Sequence, residues 1–156
     1  KGTVTLEILV ENLGRINFGP YLLHNTKGIT ESVTIADNEL KNWKMYQLPF
    51  DNIEGIIFKQ KKTINLQSPV LKKGMFMLDA IGDTYLDMSK WGKGMVWVNG
   101  HNLGKYWSVG PQQSLYVPVE WLKKGKNEMV VLELFKPGDA IEALEKPILN
   151  QLQKAE

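Results

Sequence analysis

The stretch running from Trp91 to Trp107, WGKGMVWVNGHNLGKYW, limits what this chain can fold into more than any other. It sets Asn99-Gly100 directly after a run of β-forming residues. A two-residue type I′ hairpin needs positive φ at both central positions, and Asn-Gly supplies that at little steric cost. Met95 to Val98 therefore reads as one strand and His101 onward as its return. Alternation points Val96 and Val98 to one face, Met95 and Trp97 to the other. Asn102-Leu103-Gly104 reads as a bend that sets Tyr106 and Trp107 on a corner.

The rest of the pattern is also β. Thr3 to Glu11 alternates, with Val4, Leu6, Ile8 and Val10 on one face, which predicts a half-buried strand. Further strands are predicted at Ile29 to Ala36 (Val33 and Ile35 inward), Trp43 to Phe50, Met75 to Ile81, Thr84 to Met88 and Ser114 to Val117. A closing strand is predicted at Glu128 to Phe135, with Val130, Leu132 and Leu134 inward. Asp51 to Lys62 fits either a helical turn or a strand, and Lys62 to Pro69 reads as a linker. Val119 to Leu122 suggests a brief helical turn. After Lys136-Pro137-Gly138 the pattern changes: Asp139 can cap a helix through Leu144, and Pro147 can open a second turn, Ile148 to Gln153. Many short strands with little helix predict an all-β sandwich with a short helical C-terminal tail.

Totals narrow the function classes. A net charge of +2 over 156 residues gives no footprint for nucleic acid or an acidic membrane surface. No apolar run approaches the ~18 residues of a membrane-spanning helix. The absence of cysteine removes disulfides and thiolate zinc sites. The chain opens on Lys1-Gly2 without a start methionine or leader, and is expected to be a piece of something larger or a processed product.

Three segments carry a family resemblance. The hairpin stretch, followed by Val109-Gly110-Pro111-Gln112-Gln113-Ser114-Leu115-Tyr116-Val117-Pro118, resembles the C-terminal β-domain of the β-galactosidases of glycoside hydrolase family 35. Glu11-Asn12-Leu13-Gly14-Arg15-Ile16-Asn17-Phe18-Gly19-Pro20-Tyr21 is similar to that family's ENxGRxNYGxY signature. Trp121 to Glu128 and Val130 to Leu134 resemble its closing strand. The resemblance implies a jelly roll of the galactose-binding type over 61–136. Residues 1–60 would be the C-terminal part of a preceding β-domain, packed on or completing the sandwich, and 137–156 the helical tail. It also implies a catalytic (β/α)8 barrel as partner, and an extracellular or periplasmic setting.

Candidate chemistry is sparse. A retaining β-galactosidase works with two carboxylates, which such a family carries on its barrel. This chain has neither the length nor the β/α alternation for one, and its glutamates read as scattered surface charge. No catalytic residue is therefore expected. His24 and His101 lack metal-site spacing. Asp79, Asp83 and Asp87 lack the order of a calcium loop, so no cofactor or metal is expected, structural calcium of the kind related sandwiches sometimes hold being the one exception left open. Sugar contact, if present, falls to Trp107 and Tyr106 with Asn102, and to Phe18; Asn99, Gln112 and Gln113 are further hydroxyl-binding neighbours. Arg15, Asn17 and Tyr21 are the candidates for contact with the barrel. Three functions remain: an accessory region that buttresses the barrel, a carbohydrate-binding module active alone on galactosides, or a structural domain that forms a homo-oligomer through open strand edges. An exposed apolar patch at Arg15 to Tyr21 would favour the first. An exposed aromatic pair beside Asn or Gln would favour the second.

Overall fold

A computed structural model describes residues 2–12, 14–59, 69–110, 112–149 and 151. The chain divides into two units between Pro49 and Phe50.

In the first unit the regular elements are a 3-10 turn at Leu22–His24 and a small hairpin of β1 (Thr34–Ile35) and β2 (Asn38–Glu39). Its turn is Ala36-Asp37, both with positive φ, and Asn38 Nδ2 donates to the Ala36 carbonyl at 2.9 Å. Only two residues of the expected Ile29–Ala36 strand pair, and Ile35 is exposed. Thr3 to Glu11 and Trp43 to Phe50, both predicted strands, have no ladder assigned. Val4, Leu6, Ile8 and Val10 are exposed, and none of the described residues of 2–49 is buried. Alternation chose the faces of this segment, but a ladder also needs a neighbouring strand.

The second unit is a sandwich. One sheet contains β3 (Val70–Leu78), β8 (Gly125–Glu133), β5 (Lys93–Val98) and β6 (His101–Trp107), in the order β3-β8-β5-β6. The other contains β7 (Ser114–Val117), β4 (Thr84–Asp87) and β9 (Glu142–Leu144), in the order β7-β4-β9. Every pairing is antiparallel. The sheets share one core: Leu86, Leu115 and Val117 from the smaller, Val96, Val98, Tyr106 and Val131 from the larger, with Met88, Trp91 and Leu122 from the connections. This is the all-β jelly-roll class expected from the sequence.

The hairpin forms as the Asn-Gly pair dictates. Asn99 and Gly100 both have positive φ, and Val98 pairs with His101. The register then slips, Trp97 facing Asn102 and Val96 facing Gly104, so Leu103 is the extra residue of a bulge. Gly104, with positive φ, absorbs the bend. Val96 and Val98 enter the inter-sheet core, whereas Trp97 and Met95 enter a second cluster on the sheet's outer face. That cluster is roofed by Phe50, Ile53, Ile56 and Phe58, so the ambiguous segment after Asp51 serves as a cover, with turns rather than a helix or strand.

Three expectations need correction. The tail is not helical: Glu142–Leu144 is a strand, paired with β4 through Leu86↔Ala143. The open edge of β4 offered backbone partners along its length, and Lys90 Nζ reaches Glu142 at 2.9 Å across the junction. The turn expected at Ile148 to Gln153, like the linker at 62–68, lies partly or wholly outside the described residues; Ile148 and Leu149 are not helical. In β8 the inward set is Met129, Val131 and Glu133, while Val130 and Leu132 face the outer cluster. A strand covered on both faces is apolar at successive positions, so period alone does not choose its inward side.

Candidate functional site

The aromatic corner after the hairpin is built around a buried anion. Glu133 is 1% exposed, which overturns its reading as surface charge. Its Oε1 accepts from the backbone N–H groups of Lys93 (3.1 Å), Phe135 (2.7 Å) and Lys136 (3.1 Å). Its Oε2 accepts from Gly92 N–H (2.8 Å) and the Tyr106 hydroxyl (3.0 Å). Five donors replace the water a carboxylate loses on burial, which is the condition for burying a charge at all. The two glycines of WGKG make room for this. A Cβ on Gly92 would lie 2.9 Å from Glu133 Oε1, and one on Gly94 would overlap the Leu132 carbonyl.

Tyr106 is fully buried, its hydroxyl donating to the Leu132 carbonyl (2.9 Å) or to Glu133. Burial pushes its ionisation far above the usual tyrosine range, and the adjacent Glu133 charge and hydrogen bond push the same way. The ring serves the core and offers no surface for stacking. Trp107 is 36% exposed, and the ammonium of the buried Lys93 lies 4.3 Å from its ring centroid, against one face of the ring. Asn102 is exposed, and its Oδ1 accepts from Gly104 N–H at 2.7 Å, holding the bulge.

Of the other polar neighbours, Asn99 and Gln113 are held by internal bonds. Asn99 Nδ2 donates to the Trp121 carbonyl (2.7 Å) and Asn127 Oδ1 (2.8 Å), while its Oδ1 accepts from Glu128 N–H (2.9 Å). Asn127, 1% exposed, closes the loop before β8 by bonding Lys123 and Gly125. Gln113 is buried and donates to the Ser108 carbonyl at 2.8 Å; Gln112 is exposed. His101 stacks on Trp121, centroids 4.7 Å apart. Asp83 accepts from Val119 N–H, 36 residues along the chain, and Asp87 accepts from Ser89 N–H in a local turn. Among the described residues no group of three or more acidic or histidine side chains converges on a point where a metal could sit.

The second candidate surface lies wholly in the first unit. Arg15, Asn17, Phe18 and Tyr21 are all exposed, Phe18 at 89%. Ile16, Leu22 and Leu23 beside them are exposed too, Leu23 at 94%. Asn25 Oδ1 accepts from Ile16 N–H at 3.4 Å, and Gly14 and Gly19 carry the positive φ the turns require. The loop thus presents five exposed apolar side chains, Ile16, Phe18, Tyr21, Leu22 and Leu23, with one guanidinium beside them in sequence.

Two family descriptions match the chain: "Beta-galactosidase, first all-beta domain" over residues 1–49, and "Beta-galactosidase, galactose-binding domain" over residues 60–127. The chain belongs to the β-galactosidase family. Within it, this is an accessory, non-catalytic β-region. Beta-galactosidase 17 of Arabidopsis thaliana is 43% identical over 152 residues, a match covering 85% of this chain and 22% of that protein. Human Beta-galactosidase-1-like protein 2 is 36% identical, covering 98% of this chain and 25% of its own. A Beta-galactosidase of Xanthomonas manihotis is 39% identical over 74% of this chain and 19% of its own. The chain thus spans about a quarter or less of the length of the curated relatives it matches.

The sequence missed Glu133 and Lys93 as the organisers of the aromatic corner. A signal existed: glycines flank Lys93 on both sides, marking close backbone approach to something, and a glutamate ends the apolar run Met129 to Leu132.

Proposed function

We propose that this chain buttresses the catalytic (β/α)8 barrel of a β-galactosidase, meeting it through the loop from Arg15 to Leu23. The observation that carries the reading is the exposed apolar run Ile16, Phe18, Tyr21, Leu22 and Leu23. A contiguous apolar patch that folding leaves in water marks a surface meant for a partner. Relatives that extend well beyond the matched region supply room for one. Arg15, with its planar fork of donors, suits a carboxylate or carbonyl pair on the barrel. Residues 1–49, which bury nothing of their own among the described residues, would find their missing strands in the same longer protein.

The rival reading, a galactoside-binding module active alone, has less support. Of the aromatic pair it needs, Tyr106 is buried, which leaves Trp107 alone, with one face of its ring held against Lys93. Asn99 bonds internally through both polar atoms, and the buried Gln113 through its amide nitrogen.

The test is assembly. The chain is mixed with a separately expressed barrel of a family relative, and binding is followed by calorimetry. Binding that F18D and L23D abolish supports the reading; unchanged binding by both variants, or none by the parent chain, rejects it. A parallel galactose titration, followed at the five indole N–H signals, separates the module reading. Saturable shifts at Trp107 would establish that reading instead.

A further inference from the structure

We infer that β3 is a self-association edge, through which two copies of this chain pair antiparallel with Gly74 on the two-fold axis. Among the described residues β3 is hydrogen-bonded on one side only, to β8. Native edges of this length are normally blunted by a bulge, a proline or a charge. Here the register runs without a slip from Val70↔Glu133 to Leu78↔Gly125. No proline falls within it. Its two charges are drawn away. Lys72 Nζ lies 3.4 Å from the Gly138 carbonyl and 5.1 Å from the Trp91 ring centroid. Lys73 Nζ pairs with Glu128 at 2.6 Å and lies over Phe58. From Gly74 to Leu78 the edge carries no charge, and Met75 and Met77 are 52% and 70% exposed.

A second copy fits this edge for a geometric reason. When one strand pairs antiparallel with its own copy about a two-fold axis, a residue must face itself. Gly74 is the midpoint of Val70–Leu78, so the register centred there is the one that uses the whole strand. It sets Lys73 against Met75, Lys72 against Phe76, Leu71 against Met77 and Val70 against Leu78. No cation faces a cation. Registers centred on Lys72 or Lys73 place like charges opposite one another, which is destabilising. Space beside Gly74 is open, with nothing within 4 Å of a Cβ built there. The resulting contact is isologous and closes at two copies.

Met75 gives a test in which folding and association move oppositely. Within one chain Met75 faces Glu128; in the proposed dimer it faces Lys73 of the second copy. M75K therefore puts a cation opposite Glu128 in the fold but opposite Lys73 twice in the dimer. M75E reverses both. Sedimentation equilibrium on the full chain should show a concentration-dependent dimer, weakened roughly tenfold by M75K and held or tightened by M75E. Urea midpoints should follow the reverse order. Hydrogen exchange at β3 should slow as concentration rises. A monomer at every concentration overturns the proposal, whether the β3 amides exchange freely or are protected by the chain itself. So does a dimer that both variants shift in the same direction, or that neither shifts.

Discussion

Residues Val4 to Val10 and residues Lys93 to Val98 are written in similar language, β-formers with alternating faces, yet they end in opposite environments. The first leaves Val4, Leu6, Ile8 and Val10 in water; the second buries both of its faces, Val96 and Val98 inward and Trp97 outward. The difference lies in neighbours. β5 has β8 on one side and β6 on the other, a second sheet beneath and the segment from Phe50 to Phe58 above. Thr3 to Glu11 has no such ladder within the described residues of its unit. Alternation specifies which side chains go together, and burial depends on what is available to receive them.

The contrast breaks most visibly at Trp97. Its ring is 2% exposed and packs 5.8 Å, centroid to centroid, from Phe50. Trp97→Ala should destabilise the second unit by about 3–5 kcal/mol, read from urea unfolding. A loss under ~1 kcal/mol would mean the outer cluster is not a true core. Next comes Glu133→Ala, which removes the acceptor shared by four backbone N–H groups and the Tyr106 hydroxyl, of which Gly92 N–H keeps the Lys136 carbonyl and Tyr106 the Leu132 carbonyl. The expected loss is about 3 kcal/mol, since each buried donor left without a partner costs about 1–3 and some of these regain water. Glu133→Gln keeps the volume and one acceptor oxygen, and should cost clearly less.

Tyr106 sharpens the same point with pH. Its folded ionisation is raised above the ordinary value of 10.0 by burial first, then by Glu133. A raised folded value means the contribution is fully present below the unfolded value, and is lost as pH rises past it. The second unit should therefore lose stability progressively above pH 10. Tyr106→Phe should cost about 1–2 kcal/mol at neutral pH, through the lost hydroxyl bond to Glu133. It should also flatten the alkaline limb. An alkaline limb unchanged in the variant would mean other groups govern it.

How much of this was legible in the sequence follows from range. The Asn99-Gly100 turn, the division of Val96 and Val98 from Trp97, and the strand at Ser114–Val117 are local events written in local chemistry, and they were readable. So was the family, because its motifs are long and irregular. Glu133 was not readable as a buried anion: its donors come from Gly92, Lys93, Tyr106, Phe135 and Lys136, and two of those groups are some forty residues away. The tail misled because Asp139 and the spacing of Ile141, Leu144 and Ile148 suit a helix. The unpaired edge of β4, which competes for the same backbone, is not visible in that window. The aromatic corner misled for a related reason, since two adjacent residues on a bend point to opposite sides, one into the core and one toward water.

The smallest expected effect closes the comparison. Ile8→Ser removes an apolar side chain from the alternating face of Thr3 to Glu11, a position that sequence pattern ranks with the core. Ile8 is 42% exposed, and nothing in its unit's described residues buries beside it. The change should therefore alter the urea midpoint of the chain by under about 0.5 kcal/mol, as ordinary surface substitutions do. A loss of ~2 kcal/mol would show that the first unit already has a core in solution, and would remove the main reason for giving it outside strands. If the small value holds, the same substitution measured after assembly with the barrel-bearing protein becomes informative. There Ile8 should gain a neighbour, and the penalty should rise toward that of a buried aliphatic residue, a change that Trp97→Ala, already at full cost in the isolated chain, should not show.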